Sequence, residues 1–226
     1  MAQSANLQRW TNSAGQPIGF KHLSPTQPAE GSILVTYGNA ASAIDCAHYA
    51  GDIQPVAAMD IYILEYPGYE DRPGSPTETK IFQAGEDAFQ SIPTNHPIYL
   101  VGESLGTGPA SYLAGTFSNR VAGIALISPF DTLASPARYE FPYLPVSLLL
   151  MDRFSSVDYL QNYHGKIAIA VDGADEIVPT KSGLRLYDSY NGPKKLWEFK
   201  NAGHCQIYSP VSEFWKGVVD FWRSSP

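Results

Sequence analysis

A serine stands between two glycines in the segment GESLG, residues 102–106, directly after the apolar run 97–101. This GxSxG pattern is typical of a nucleophile elbow, in which a strand turns sharply into a helix and presents a serine hydroxyl above the sheet. The serine of such a turn has a strained backbone, so the residues two before and two after it must be small. Glycine occupies both positions, and the pattern therefore predicts Ser104 as a nucleophile.

A serine nucleophile needs a base and a group that orients the base. In elbow enzymes both come later in the chain, in the order serine, acid, histidine. His204 follows the strand-like run 195–199, lies in a glycine-containing loop and precedes a carboxyl-terminal helix, so we predict it as the base. The histidines that we interpret as structural or exposed are His22, His48, His96 and His164.

The orienting carboxylate is expected in the loop after the buried strand-like run 167–171. Three acidic residues occur there, Asp172, Asp175 and Glu176. Asp175 has the expected position just past the strand, whereas Asp172 is expected at the strand end and Glu176 is expected to point away from its neighbour. Spacing alone does not separate the three.

An oxyanion hole is the remaining requirement of this chemistry. One donor is expected to be the backbone amide of Leu105, the residue after the nucleophile. The second is expected in the loop after the strand-like run 33–37, where the amide of Asn39 or Ala40 can supply it. A helix that begins after this loop adds a favourable dipole for developing negative charge.

Short runs rich in β-branched and aromatic residues, without strict polar alternation, predict strands that are buried on both faces. They are residues 33–37, 60–65, 98–101, 121–127 and 167–171. Segments with helical spacing occur at 41–54, 77–91, 104–117, 180–190 and 209–223. This alternation predicts an α/β fold with a mostly parallel central sheet and helices on both faces. The stretches 7–11 and 17–22 predict an antiparallel amino-terminal hairpin at one sheet edge.

Composition limits the classes of protein to consider. The 226 residues fit one α/β domain, 1–226, and a net charge of -7 without a basic block argues against a nucleic-acid surface. The expected partner is a small-molecule or acylated substrate, and the oligomeric state is left open. The sequence has no apolar stretch long enough for a membrane span and no signal-peptide pattern at its start. We therefore expect a cytoplasmic or soluble protein, and an amino-terminal targeting segment removed earlier is left open.

Several short motifs occur in a specific order and spacing. They are YGNA at 37–40, EYPGY at 65–69, GSPTE at 74–78, GESLGTG at 102–108, SPF at 128–130, DRF at 152–154, DEIVP at 175–179 and GH at 203–204. With these motifs the chain resembles the α/β-hydrolase superfamily over nearly its whole length. The resemblance is closest to a small-capped branch that includes Bem-forty-six-like proteins, depalmitoylating α/β-hydrolase-domain proteins and serine aminopeptidase-like hydrolases.

The resemblance implies Ser104 as nucleophile and His204 as base, and it settles the acid as Asp175, which fills the catalytic position of the DxxVP loop. It implies the α/β-hydrolase fold and a serine hydrolase that cleaves a carboxylic ester or thioester through an acyl-enzyme intermediate. This mechanism requires no metal and no organic cofactor. The alternatives are a peptidase or amidase with the same triad, and a non-catalytic binding protein that keeps the fold.

Two features depart from the family pattern, and a third region usually decides the substrate. Tyr37 replaces a histidine that usually shapes the loop, which affects loop geometry and substrate access more than acyl chemistry, and the loop 70–73 is more charged than expected. The cap-like segment at about 131–165 is too short for a separate lid, so we expect an open or lightly covered site. Its apolar stretch 139–151 is expected to line an acyl pocket or to pack into the core.

Overall fold

Eight strands form a single sheet in the part of the chain that the computed structural model describes. That part comprises residues 7–12, 14–39, 41–140, 152–206 and 211–225, with the backbone alone at 138 and 140. The strands are β1 (Gln8–Thr11), β2 (Pro17–His22), β3 (Gly31–Thr36), β4 (Met59–Leu64), β5 (Ile98–Glu103), β6 (Val121–Ile127), β7 (Lys166–Asp172) and β8 (Lys194–Phe199). Their order across the sheet is β1-β2-β4-β3-β5-β6-β7-β8.

Strands β3 to β8 pair in parallel, from the β3–β4 pair at one side to the β7–β8 pair at the far edge. At the near edge β2 pairs antiparallel with β4, and β1 pairs antiparallel with β2. The prediction of a mostly parallel sheet with an antiparallel amino-terminal hairpin is therefore confirmed. Every residue of β3 and β4 is buried, which explains their near-continuous apolar sequence.

The helices of the described ranges connect or follow these strands. They are α1 (His48–Ile53), α2 (Glu78–Ser91), α3 (Thr107–Thr116), α4 (Ala134–Glu140), α5 (Ser156–Tyr159), α6 (Thr180–Ser189) and α7 (Val211–Arg223). The chain moves from β3 to β4 in one direction across the sheet, and from β4 through β5 to β6 in the other. Because parallel crossovers are right-handed, this reversal puts α1 on one face and both α2 and α3 on the opposite face.

The first crossover helix begins later than the sequence predicts. Instead of starting at 41, the chain forms a turn and then a short 3-10 turn at Asp45–Ala47 before α1. The Asp45 carboxylate accepts hydrogen bonds from the Ser42 backbone N–H (2.9 Å) and the Ser42 hydroxyl (2.8 Å). These bonds stabilise a local turn that competes with helix, as short polar side chains commonly do. The segment before α1 is therefore an extended loop at the end of β3.

The predicted cap-like segment begins after β6 with α4 and ends with α5. Where this segment leads back toward the sheet, it is held by Glu78, the first residue of α2. The Glu78 carboxylate accepts hydrogen bonds from the backbone N–H groups of Arg153 (2.8 Å) and Phe154 (2.9 Å). These contacts join the GSPTE and DRF motifs. Residues 141–151, and with them most of the apolar stretch at 139–151, lie outside the described residues. The single-domain prediction stays a prediction.

The parallel strands bring their carboxyl ends to one edge of the sheet. The loops that follow β3, β5, β7 and β8 at this edge carry the residues that the sequence predicts for the oxyanion hole, nucleophile, acid and base. Within the described ranges, no helix combines the length and the apolar character that a bilayer crossing needs.

Candidate active site

Ser104 occupies a sharp turn between β5 and a 3-10 turn at Ser104–Gly106 that continues into α3. Its φ is +50°, in the left-handed region that non-glycine residues rarely adopt. The turn depends on close backbone approach. A Cβ added at Gly102 would lie 2.7 Å from the Gly106 carbonyl oxygen, and one added at Gly106 would lie 2.2 Å from the Thr36 carbonyl oxygen. The local structure is therefore the elbow that GxSxG predicts.

The variant Gly106→Ala should lower the free energy of unfolding by at least about 3 kcal/mol, because its methyl group collides with the rigid backbone of β3. Guanidinium unfolding measures this change. Gly217→Ala is the matched control, since a Cβ there lies 3.3 Å from the side chain of Trp197, and we expect its effect to stay within about 1 kcal/mol. Equal effects of the two variants would contradict the close strand–helix approach at the elbow.

A continuous set of hydrogen bonds links three side chains that are distant in the sequence. His204 Nε2 lies 2.8 Å from Ser104 Oγ, and His204 Nδ1 lies 2.7 Å from Asp175 Oδ2. The Asp175 side chain is 1% exposed, whereas the His204 side chain is 19% exposed and can be reached from solvent. The arrangement connects a hydroxyl, an imidazole and a buried carboxylate in the order that base activation of a serine requires.

The surroundings of Asp175 define the tautomer of His204. Asp175 Oδ1 accepts hydrogen bonds from the backbone N–H groups of Ile177 and Val178, both at 2.8 Å. His204 lies on the other carboxylate oxygen, Oδ2, so both oxygens of Asp175 have hydrogen-bond partners. Because a carboxylate only accepts, His204 Nδ1 must carry the proton, and Nε2 is left to accept from the Ser104 hydroxyl.

The other two candidate acids and the other four histidines have different positions in the structure. Asp172 is the last residue of β7 and is buried, and Glu176 is exposed. All five histidines lie in the described ranges, and His204 is the one that hydrogen-bonds to Ser104. The other four histidines lie elsewhere. His48 Nδ1 lies 3.0 Å from the Asp45 carbonyl oxygen, and His96 Nδ1 lies 3.5 Å from Ser32 Oγ. His164 is exposed, and His22 Nδ1 is buried without a hydrogen-bond partner in the described part of the chain.

The predicted oxyanion-hole residues flank Ser104 on two sides. Leu105 lies in the first turn of the helical segment after the nucleophile, where backbone N–H groups have no partner within the helix. Gly38 packs directly against the nucleophile, because a Cβ added to it would lie 3.3 Å from Ser104 Cβ and 3.8 Å from Ser104 Oγ. Asn39 follows Gly38 in this loop and is exposed, whereas Ala40 lies outside the described residues. The role of these amides stays a prediction.

Comparison with known proteins finds relatives in sequence and neighbours in fold. No protein-family model matches the chain. An uncharacterized protein of Mycobacterium tuberculosis is 28% identical over 196 residues, which cover 84% of this chain and 69% of that protein. The human alpha/beta hydrolase domain-containing protein 17B is 26% identical over 215 residues, which cover 92% of this chain and 72% of that protein.

Solved structures share the architecture at lower sequence identity. An alpha-beta hydrolase from Vibrio vulnificus superimposes with a TM-score of 0.74 at 16% identity, covering 98% of this chain and 83% of that structure. Est1E from Butyrivibrio proteoclasticus, solved with ferulic acid bound, superimposes with a TM-score of 0.70 at 14% identity, covering 94% and 95% of the two chains. The sheet order and these superpositions show that the chain has the α/β-hydrolase fold.

In this α/β-hydrolase fold, Tyr37 and Glu65 form a buried pair below the loop that carries Asn39. The Tyr37 hydroxyl donates to Glu65 Oε1, and the Ala43 backbone N–H donates to Glu65 Oε2 at 3.2 Å. Glu65 thus holds the loop at both of its ends. Burial raises the pKa of Glu65, and burial together with the Glu65 contact raises the pKa of Tyr37, so the tyrosine stays protonated as a donor.

Two further tyrosines of the EYPGY motif complete this support. The Tyr66 hydroxyl donates to the Tyr37 carbonyl oxygen at 2.8 Å, and the Tyr69 hydroxyl donates to Asn39 Oδ1 at 2.6 Å. The rings of Tyr37 and Tyr66 pack with their centroids 4.6 Å apart. Tyr37 therefore fixes the loop beside Ser104 through Glu65, for which no role was predicted from the sequence.

Replacing Tyr37 with phenylalanine should lower the free energy of unfolding by about 1 to 3 kcal/mol, because the buried Glu65 carboxylate loses a donor. We also expect kcat to fall about 10-fold as the loop shifts. Tyr163→Phe is the matched control, since Tyr163 is fully buried and its hydroxyl lies 3.5 Å from a carbonyl oxygen far from Ser104. Unchanged stability and kcat in the Tyr37 variant would show that the Glu65 contact does not shape the loop.

The described residues contain no group of three or more histidine, cysteine, aspartate or glutamate side chains arranged to hold a metal ion. A hydroxyl, a neutral imidazole and an ionised carboxylate in hydrogen-bond contact can activate an oxygen nucleophile and carry its proton.

Proposed function

We propose that this chain is a serine hydrolase that cleaves a carboxylic ester or thioester through an acyl-enzyme intermediate. The observation that carries the proposal is the unbroken hydrogen-bond sequence from Ser104 Oγ through the His204 imidazole to Asp175. Similarity to alpha/beta hydrolase domain-containing proteins and the esterases among its structural neighbours support a hydrolase in general. The geometry around Ser104 supports the role proposed for each residue.

Acylation begins when Ser104 Oγ attacks the substrate carbonyl carbon and His204 Nε2 takes the hydroxyl proton. The contact of 2.8 Å between these atoms is already a hydrogen bond, so the proton moves without a rearrangement of the side chains. Asp175 keeps the imidazole in the tautomer that can accept the proton, and its negative charge stabilises the imidazolium that forms.

The attack converts the carbonyl into a tetrahedral intermediate with a negatively charged oxygen. The backbone amides of Leu105 and of Asn39 or Ala40 are proposed to donate to this oxygen. The packing of Gly38 against Ser104 supports the proposal, since it brings the loop of Asn39 to the side of the nucleophile. The amino terminus of the helical segment after Ser104 adds a positive dipole end to the same place.

The intermediate collapses when His204 returns its proton to the leaving alcohol or thiol and the bond to the leaving group breaks. The acyl group is then held on Ser104 Oγ. A water molecule, deprotonated by His204 Nε2, attacks the acyl carbon, and a second tetrahedral intermediate releases the carboxylic acid. The proton returns to Ser104 Oγ, and the site regains its starting state.

A substrate panel tests the proposed reaction. Purified protein is given a short-chain acyl ester, a long-chain acyl thioester and an aminoacyl amide at matched concentrations. We expect turnover of the ester or the thioester with kcat/KM at least about 100-fold above that for the amide, because amides have the poorer leaving group. Preferred cleavage of the amide would replace the proposal with a peptidase or amidase. No turnover of any substrate, together with no labelling by a fluorophosphonate, would favour a non-catalytic binding protein.

A further inference from the structure

A second buried carboxylate lies close to the histidine loop and has no part in the mechanism above. Asp172 ends β7, three residues before Asp175, and is 1% exposed. A carboxylate this deep in a protein is costly unless its surroundings compensate for the lost hydration. Its contacts therefore show what it holds in place.

The Asp172 carboxylate binds two residues with unusual backbone conformations. The Ser128 hydroxyl donates to Asp172 Oδ2, and the Cys205 backbone N–H contacts both Asp172 Oδ2 and Ser128 Oγ at 3.0 Å. Ser128 has a φ of +47° and Cys205 a φ of +55°, so both lie in the left-handed region. Such conformations persist when surrounding contacts enforce them. Because Cys205 follows His204 directly, this cluster fixes the backbone next to the imidazole.

The hydrogen bonds of Asp172 favour its ionised form. Both partners of Oδ2 are donors, and Oδ1 is buried with no hydrogen-bond partner in the described ranges. Burial raises the pKa of Asp172 above its usual value, and the hydrogen bonds from Ser128 and Cys205 and the charge of a protonated His204 offset part of that rise. The carboxylate and the imidazolium therefore stabilise each other.

We propose that Asp172 is a positioning residue for His204, which holds the Cys205 amide behind the imidazole and adds a second negative charge that stabilises the imidazolium during proton transfer. The inference rests on the proposed function. It assigns two separable effects to one side chain: the hydrogen bond to Cys205 fixes the histidine loop, and the negative charge favours the protonated imidazole.

Other titratable groups around this loop keep their own partners. Asp175 faces His204 from the acid loop, and Glu103 faces Cys205 from the end of β5. Glu103 accepts a hydrogen bond of 2.5 Å from the Tyr49 hydroxyl of α1. Burial, followed by the charge of Glu103, raises the pKa of the Cys205 thiol, which stays neutral. Removing the charge of Asp172 therefore leaves the other charged groups of the loop in place.

The test compares pH profiles of kcat/KM for the wild type, Asp172→Asn, Ser128→Ala and Asp188→Asn, with an activated ester as substrate. Asp172→Asn should move the acid limb to lower pH by about 0.5 unit and lower kcat about 10-fold, with KM within about twofold. Ser128→Ala keeps the charge and loses the bridging hydroxyl, so kcat should fall about fivefold while the acid limb stays in place. Asp188→Asn removes an exposed charge from α6 and should match the wild type.

An acid limb that stays in place in Asp172→Asn, at any level of activity, overturns the proposal. Thermal unfolding and fluorophosphonate labelling show whether that variant is folded. If Asp172→Asn does not fold, the proposal is tested by Ser128→Ala instead. A wild-type kcat in Ser128→Ala then overturns the proposal. If a fluorophosphonate does not label the wild type, the proposed function itself is wrong. If the wild type is labelled but the pH profile of Asp172→Asn does not move, this inference alone is wrong.

Discussion

Ser104→Ala should lower kcat about 10⁶-fold and abolish covalent labelling by a fluorophosphonate, because the variant has no oxygen within reach of His204 Nε2. The change removes one hydroxyl and relieves none of the elbow packing, so the thermal unfolding midpoint should stay within a few degrees of that of the wild type. Steady-state hydrolysis of the preferred ester and gel-based labelling measure the two effects.

Ser91→Ala is the matched control for this experiment. Ser91 ends α2, where its hydroxyl donates to the Ala88 carbonyl oxygen at 2.8 Å, away from the catalytic edge. We expect wild-type activity and labelling from it. Labelling of the Ser104 variant at another residue would show that this other residue is the nucleophile. Turnover near the wild-type rate in the variant would show that Ser104 is not the nucleophile.

Asp175→Asn should lower kcat about 10⁴-fold, because it reverses the tautomer of His204. The two backbone N–H groups of Ile177 and Val178 require an acceptor, so the amide oxygen of the new side chain takes the place of Oδ1. Its NH₂ group then faces His204 Nδ1 and donates to it. His204 must carry its proton on Nε2, where it can no longer accept the proton of Ser104.

Glu176→Gln is the control in the same loop, and it also tests the alternative acid that spacing could not separate. Glu176 is exposed, and we expect its variant to retain wild-type kcat. The kinetics of both variants are measured on one activated ester at the pH of maximal activity. A severe loss in Glu176→Gln with near-normal kcat in Asp175→Asn would assign the orienting role to Glu176.

The elements around Ser104 could be predicted from sequence because their signals are local. A strand, a GxSxG turn and a helix follow one another within residues 97–117, and the close glycine contacts involve the neighbouring strand β3. The parallel sheet could similarly be predicted from the alternation of strands and helices, because fully buried strands have near-continuous apolar sequences. The start of the first crossover helix was predicted at residue 41, before its observed start, because the segment has good helical spacing. The hydrogen bonds between Asp45 and Ser42 stabilise a turn there instead of a helix.

The contacts that support the site could not be predicted from local patterns. Glu65 binds Tyr37 across 28 residues, and Asp172 binds Ser128 across 44 residues. Each of these residues is at or next to the carboxyl end of a strand, and this position is the one sequence signal that they share. Asp172 at the end of β7 and Asp175 and Glu176 in the loop after it are close in sequence, so spacing did not separate them. The resemblance pointed to Asp175, and the fold orients Asp172 and Asp175 toward different partners.

Trapping of the acyl-enzyme tests the central claim most directly. Purified protein is mixed with an activated ester, quenched in acid within milliseconds to seconds, and digested for peptide mass spectrometry. The account predicts a burst of released alcohol close to one equivalent per protein chain, with the acyl mass on Ser104. Ester hydrolysis without a burst and without an acylated peptide, or an acyl group on a residue other than Ser104, would contradict the account.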